Sequence, residues 1–292
     1  MILSYRINQE DAGKTVKQII AREFALSSRL MSKLKKTGSI KVNGESVTVR
    51  KIVNCSDLLT VESVDTPSEN VIMSDIPLDV LYEDDNILVV NKPCGMPIHP
   101  SQGHHSDTLA NAVMYRYRNE RITFRAITRL DGDTTGVVLV AKDAVSAQRL
   151  TVQLCEGKIT KEYVAVGVGV PEQNEGIIDA PVARCEDSVI KRQVQKDGKK
   201  SVTKYNVERV SRNGCFSLIK AVPITGRTHQ IRLHLSHIGV PIYGDFLYGT
   251  QVDGVRTLLH CKSLTFKHPV TAEQMCINAP LPQDIITVMD TI

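Results

Sequence analysis

The loop Ala126–Thr135 places Arg129, Asp131, Asp133 and the pair Thr134-Thr135 immediately ahead of an apolar strand beginning at Gly136. Charged loops that run into buried strands often line sites. A carboxylate in that position can serve as a nucleophile, or it can cap a turn by accepting backbone N–H bonds, and the residues alone leave both readings open. A second polar group follows at Arg227, Thr228, His229, Gln230, Arg232, His234 and His237. Histidines invite a metal reading, with His104 and His105 as possible additions. However, a five-residue offset turns His229 about 140° from His234 on one helix, so no metal site is expected. The Gly-Val-Gly at 167–169 lacks the third glycine of a dinucleotide fingerprint. There is also no phosphate-cradling GxxxxGK[ST] loop and no GxSxG nucleophile elbow.

The elements that must carry these residues read mostly as strands. Alternating or continuous apolar runs occur at LDVLYED, NILVVNKP, TGVVLVAKD, KEYVAVGVG, KSVTKYNVERV and CFSLIKAVP, with two more at TLLHCKSLTF and QMCINAP. Helical spacing is expected over Ala144–Glu156 and Arg227–Ile238. That order favours an α+β fold built on a mixed, mainly antiparallel sheet with flanking helices.

Ahead of this region lies a smaller unit. Val16, Ile19, Ile20 and Phe24 fall at helical spacing, as do Leu30, Met31 and Leu34, and an Asn43-Gly44 hairpin and a closing strand near LLTVESV follow. The expected division is a small α+β domain over 1–64, a polar two-proline linker over 65–77 and a large domain over 78–292. Residues 1–64 hold 11 Lys or Arg against 6 Asp or Glu, whereas the remainder is nearly balanced at 25 against 26. Concentrated positive charge suits a polyanion partner, and Arg29, Lys33 and Lys36 recur on one side of the second helix, where phosphates could meet them. The seven cysteines are dispersed without a CxxC pair, which suggests reduced thiols. No secretory signal layout or apolar run of spanning length is present, so a cytoplasmic protein without membrane attachment is expected.

Four blocks in order resemble the RluA family of RNA pseudouridine synthases: NKPCGMPIHPS, TRLDGDTTGVVLVAK, KEYVAVGVG and ITGRTHQIRLHLSHIGVPIYGD. The N-terminal segment SSRLMSKLKKTGSIKVNGESV resembles the αL RNA-binding motif of a small-subunit ribosomal protein. The family resemblance implies that Asp131 is the carboxylate that breaks the uridine glycosidic bond. It implies that Arg232 pairs with Asp131, and that Tyr163 stacks on the target base and helps to remove the C5 proton. Arg129 would fill the space left by the flipped nucleotide, and Arg227, Thr228, His229 and Gln230 would contact RNA. Two positions depart from the family pattern: Thr128 stands where His is usual, and Thr135 where Ser is usual. The implied substrate is large-subunit ribosomal RNA; no cofactor is expected, because breaking and remaking the bond needs no net oxidation or energy input, and a monomer is expected because no coiled-coil pattern is present. Transfer RNA is the alternative substrate, and an RNA-binding assembly factor with dispensable catalysis is the alternative function.

Overall fold

The computed structural model describes residues 2–37, 39–63 and 71–291; the side chains of Arg29, Lys33 and Lys36 lie outside the described set. The first unit comprises β1 (Ile2–Arg6), α1 (Val16–Glu23), α2 (Ser28–Thr37), β2 (Ser39–Val42), β3 (Glu45–Ser46) and β4 (Leu58–Glu62). Its strands form an antiparallel sheet in the order β1-β4-β2-β3. Thr15 and Gln18 form a reciprocal capping box that starts α1, satisfying N–H groups the helix itself cannot pair. Val16, Ile19 and Ile20 then point into a core shared with Leu30, Met31 and Leu34. Strand β1 was not anticipated, because ILSYR is short and its side chains are only half covered.

The larger unit continues with β5 (Asp79–Glu83), β6 (Ile87–Lys92), α3 (Leu109–Arg116), β7 (Thr135–Ala141), α4 (Ala144–Cys155) and β8 (Thr160–Val168). Next come β9 (Glu175–Asp179), β10 (Val182–Arg184), β11 (Arg192–Val194), β12 (Val202–Val210) and β13 (Phe216–Pro223). It closes with α5 (Gln230–His237), β14 (Leu259–Lys267), β15 (Gln274–Asn278) and α6 (Gln283–Thr291). Its main sheet runs β5-β6-β7-β14-β8-β13-β12-β9, with β15 branching from β14. The α+β expectation of a mixed, mainly antiparallel sheet holds: the β7–β14 pair is parallel and the other pairs of this sheet are antiparallel.

That parallel pair brings the site together. It sets the start of β7 beside the start of β14, where Thr135 faces His260 and Gly136 faces Cys261. On its other side Cys261 faces Tyr163 of β8. The approach at Gly136 admits only glycine, since φ is +110° and a Cβ would sit 2.2 Å from the Cys261 carbonyl oxygen. Every residue of β7 is buried, so the strand is a rigid base for the loop ahead of it.

The linker expected at 65–77 falls partly outside the described residues. Residues 65–70 lie outside the described set, whereas Val71 and Ile76 pack against the large core. The Asn111 amide donates to the Ile72 carbonyl at 2.6 Å, fixing the segment to α3. The two units also touch. Ser27 donates its N–H and Oγ–H to Gln148 Oε1 at 2.9 and 2.7 Å, and Val145 of α4 belongs to the small core.

Candidate active site

The Asp131 loop is pinned from several sides. Lys92, fully buried at the end of β6, donates to the carbonyls of Gly132 and Pro93 at 2.7 and 2.8 Å. Gly95 N–H also donates to Gly132, and Thr134 N–H closes the turn on the Asp131 carbonyl. Burial pushes the Lys92 ammonium down to about 8. Thr128 accepts the Leu139 N–H at 3.0 Å through its hydroxyl, and the Thr135 hydroxyl meets His260 Nδ1 at 2.8 Å. The two threonines that depart from the family pattern thus tie the loop to its neighbours.

Within this frame the Asp131 side chain remains 30% exposed, and two basic side chains face it. Arg232 Nη1 lies 3.7 Å from Oδ2, and His229 Nε2 lies 3.8 Å from the same oxygen. The strongest contact of Arg232 is with another residue: Nε and Nη2 each donate to Asp245 at 2.7 Å. The expected pairing with Asp131 is therefore a charge contact, whereas the two-pronged hydrogen bond goes to Asp245. Asp245 is fully buried and accepts from the N–H groups of Leu247 and Tyr248.

The carboxylate network extends through Tyr248. Its hydroxyl accepts the Arg192 N–H and meets His229 Nδ1, each at 2.9 Å. The bond to Nδ1 fixes the imidazole plane, with Nε2 as the nitrogen facing Asp131. Burial lowers the His229 pKa, so the ring is neutral near pH 7. His229 holds this orientation with φ at +57°, a left-handed conformation that ends the loop ahead of α5.

Tyr163 lies across β14 from the loop with only 6% exposure. Burial raises its phenol pKa well above the ordinary value, and the charge of Asp131 raises it further. The phenol is therefore protonated.

The remaining expected contacts divide. Arg129 and Thr228 are exposed, as is Arg227, whose guanidinium donates to the Lys200 carbonyl at 3.3 Å. Gln230 is a correction: it is buried, its Nε2 donates to Val202 O and Thr203 Oγ1, and its Oε1 accepts from Thr225 and Arg227. It has no amide capacity left for RNA and instead shapes the turn before α5. The helix accordingly begins at Gln230, three residues later than expected. His234 is also structural, with its ring nitrogens occupied by Thr203 Oγ1 and the Ala180 carbonyl.

This geometry has relatives. Residues 86–237 match the family described as RNA pseudouridylate synthase. The chain is 41% identical to the uncharacterized RNA pseudouridine synthase YjbO of Bacillus subtilis, covering 93% of this chain and 96% of that one. The chain belongs to the RNA pseudouridylate synthase family. The ribosomal large subunit pseudouridine synthase D of Pseudomonas aeruginosa is 35% identical over 95% of this synthase and 91% of its own length. Among solved structures, the human RNA pseudouridylate synthase domain containing 1 superposes with a TM-score of 0.62 at 26% identity, covering 74% of this synthase and 87% of that chain. Asp131, Tyr163 and Arg232 fall inside the matched region of the family, whereas Asp245 and Tyr248 lie beyond it.

Proposed function

We propose that this enzyme converts specific uridines of large-subunit ribosomal RNA to pseudouridine, with Asp131 as its catalytic carboxylate. The observation that carries the reading is Asp131 itself, set on an immobilised loop, open to an incoming nucleotide on one side and faced by Arg232 at 3.7 Å on the other. Arg232 offsets the cost of keeping an anion in a pocket that the flipped nucleotide will dry. The large-subunit target rests on relatives such as the ribosomal large subunit pseudouridine synthases D of Pseudomonas aeruginosa and Xanthomonas campestris.

In this scheme the uridine leaves its stack, Asp131 attacks the nucleoside, and the N1–C1′ bond breaks. The base turns, C5 bonds to C1′ as the bond to Asp131 breaks and frees the carboxylate, the C5 proton is lost and N1 gains one. No electrons are exchanged with an outside partner, so the reaction needs neither redox cofactor nor nucleotide. Tyr163 offers an aromatic face to the base. With its phenol protonated, it relays a proton and does not begin as the base. Arg129, exposed on the loop, fills the vacated stack, Arg227 and Thr228 face the flanking backbone, and His229 stays turned towards Asp131.

Residues 1–64 act as a basic RNA-binding domain, and Arg29, Lys33 and Lys36 add phosphate contacts. The enzyme works as a cytoplasmic monomer. Among the described residues, no helix is long and apolar enough to cross a membrane.

Pseudouridine mapping of ribosomal RNA tests the proposal in cells that lack the gene and carry either the wild-type chain or Asp131→Ala. Large-subunit sites restored by the wild type and absent with Asp131→Ala support it. Sites unaffected by deletion would refute it.

A further inference from the structure

Arg232 and Asp245 form an ion pair almost wholly withdrawn from water, with side-chain exposures of 4% and 0%. A guanidinium has five N–H donors arranged as a planar fork, and its strongest pairing with a carboxylate uses two of them in parallel. Here Nε and Nη2 are both committed to Asp245. Nη1 is the nitrogen that faces Asp131, at 3.7 Å, beyond hydrogen-bond range. Asp131 thus feels the positive charge without surrendering a lone pair to it. An unanchored Arg232 could fork onto Asp131 and occupy both carboxylate oxygens.

The turn around Asp245 is built to hold this division. Gly244 has φ at +76°, and a Cβ there would lie 2.2 Å from the Arg256 carbonyl oxygen. Asp245 Oδ1 also accepts from Leu247 and Tyr248 N–H at 2.9 and 3.1 Å, which carries the Tyr248 hydroxyl to His229. One buried carboxylate therefore orients both groups that face Asp131. The Arg232 guanidinium is further flanked by the rings of Tyr248 and Phe246, 5.4 and 5.5 Å away.

We infer that Asp245 is a positioning residue for the isomerisation: it draws the fork of Arg232 away from Asp131, leaving that carboxylate charge-stabilised yet free to attack. The inference rests on Asp131 being the catalytic carboxylate. It assigns Asp245 no contact with substrate, so its effect belongs to turnover and not to RNA affinity.

The test is steady-state kinetics of Asp245→Glu and Asp245→Asn on a transcript of the target RNA, with thermal melts of each variant. Asp245→Glu keeps the charge but moves it by one methylene, and it is expected to fold. Its kcat should fall about ten- to a hundred-fold with KM within about twofold of wild type. Asp245→Asn should lose at least as much turnover, and if it does not fold, Asp245→Glu decides. A kcat for Asp245→Glu within about twofold of wild type overturns the inference, as does a loss no larger than its unfolded fraction explains. Asp131→Asn is measured alongside. Full activity there refutes the reading of the site itself, whereas an inactive Asp131→Asn beside a normal Asp245→Glu refutes only the positioning role.

Discussion

His229 Nε2 faces Asp131 Oδ2 at 3.8 Å, and Arg232 Nη1 approaches the same oxygen at 3.7 Å. The two contacts are unequal in charge, because burial lowers the His229 pKa and leaves the ring neutral while the guanidinium stays positive. Arg232→Met should therefore reduce kcat by about a thousand-fold, and it should cost about 3–5 kcal/mol of stability by leaving Asp245 buried without its partner. His229→Asn, a residue that tolerates left-handed backbone, should fold normally and lose about tenfold in kcat. Kinetics and urea melts of both variants check the ranking; a larger kcat loss for His229→Asn would reverse it.

Tyr163 combines an aromatic face with a protonated hydroxyl. Tyr163→Phe should leave KM nearly unchanged, because the ring surface is kept, and should lower kcat by about a hundred-fold or more through loss of the proton relay. The release of C5 tritium from labelled RNA reads the affected step directly. Normal release by Tyr163→Phe would remove the hydroxyl from the mechanism.

His260 lies between the strands that flank the site, and burial pushes its imidazole down to about 4. The folded-state value lies below the unfolded one, so the unfolded chain takes up the proton first. The contribution of neutral His260 is complete above about pH 6.5 and is lost as pH falls from there towards 4, by about 3 kcal/mol. His260→Asn should flatten this part of the stability curve. Urea midpoints of wild type and variant between pH 7 and 4 test the difference, and parallel curves would contradict it.

The phosphate contacts proposed for Arg29, Lys33 and Lys36 predict a salt effect. Replacing Arg29, Lys33 and Lys36 together by Ala should weaken RNA binding similarly for different sequences. If each meets one phosphate, the slope of log affinity against log salt should drop by about two to three. Filter binding over a range of salt concentrations measures this, and an unchanged slope would place the RNA elsewhere.

Much of the site was legible because it lies in continuous blocks: Asp131 in RLD, Tyr163 in KEYVA and Arg232 in IRLH. The strands were legible for the same reason, since TGVVLVA and KEYVAVGVG are apolar runs with few alternative uses. Residue pairings across the chain were not legible. Nothing in the 13-residue spacing of Arg232 and Asp245 shows that the turn at Gly244 folds a carboxylate back onto the helix. Gln230 was misread because a polar side chain at a helix start looks available until Val202 and Thr203 are seen to engage it. Helix α3 went unnoticed because LANAVMYR is buried almost all round and lacks a polar stripe.

Asp131→Asn keeps the shape of the side chain proposed as the catalytic carboxylate and removes its charge. Purified wild type and Asp131→Asn are incubated with large-subunit ribosomal RNA transcripts carrying tritium at uridine C5, and release is followed to completion. Stoichiometric release at defined sites is expected with wild type, and none with a folded Asp131→Asn that still binds the RNA. Release by Asp131→Asn at a comparable rate would remove the Asp131 carboxylate from the chemistry.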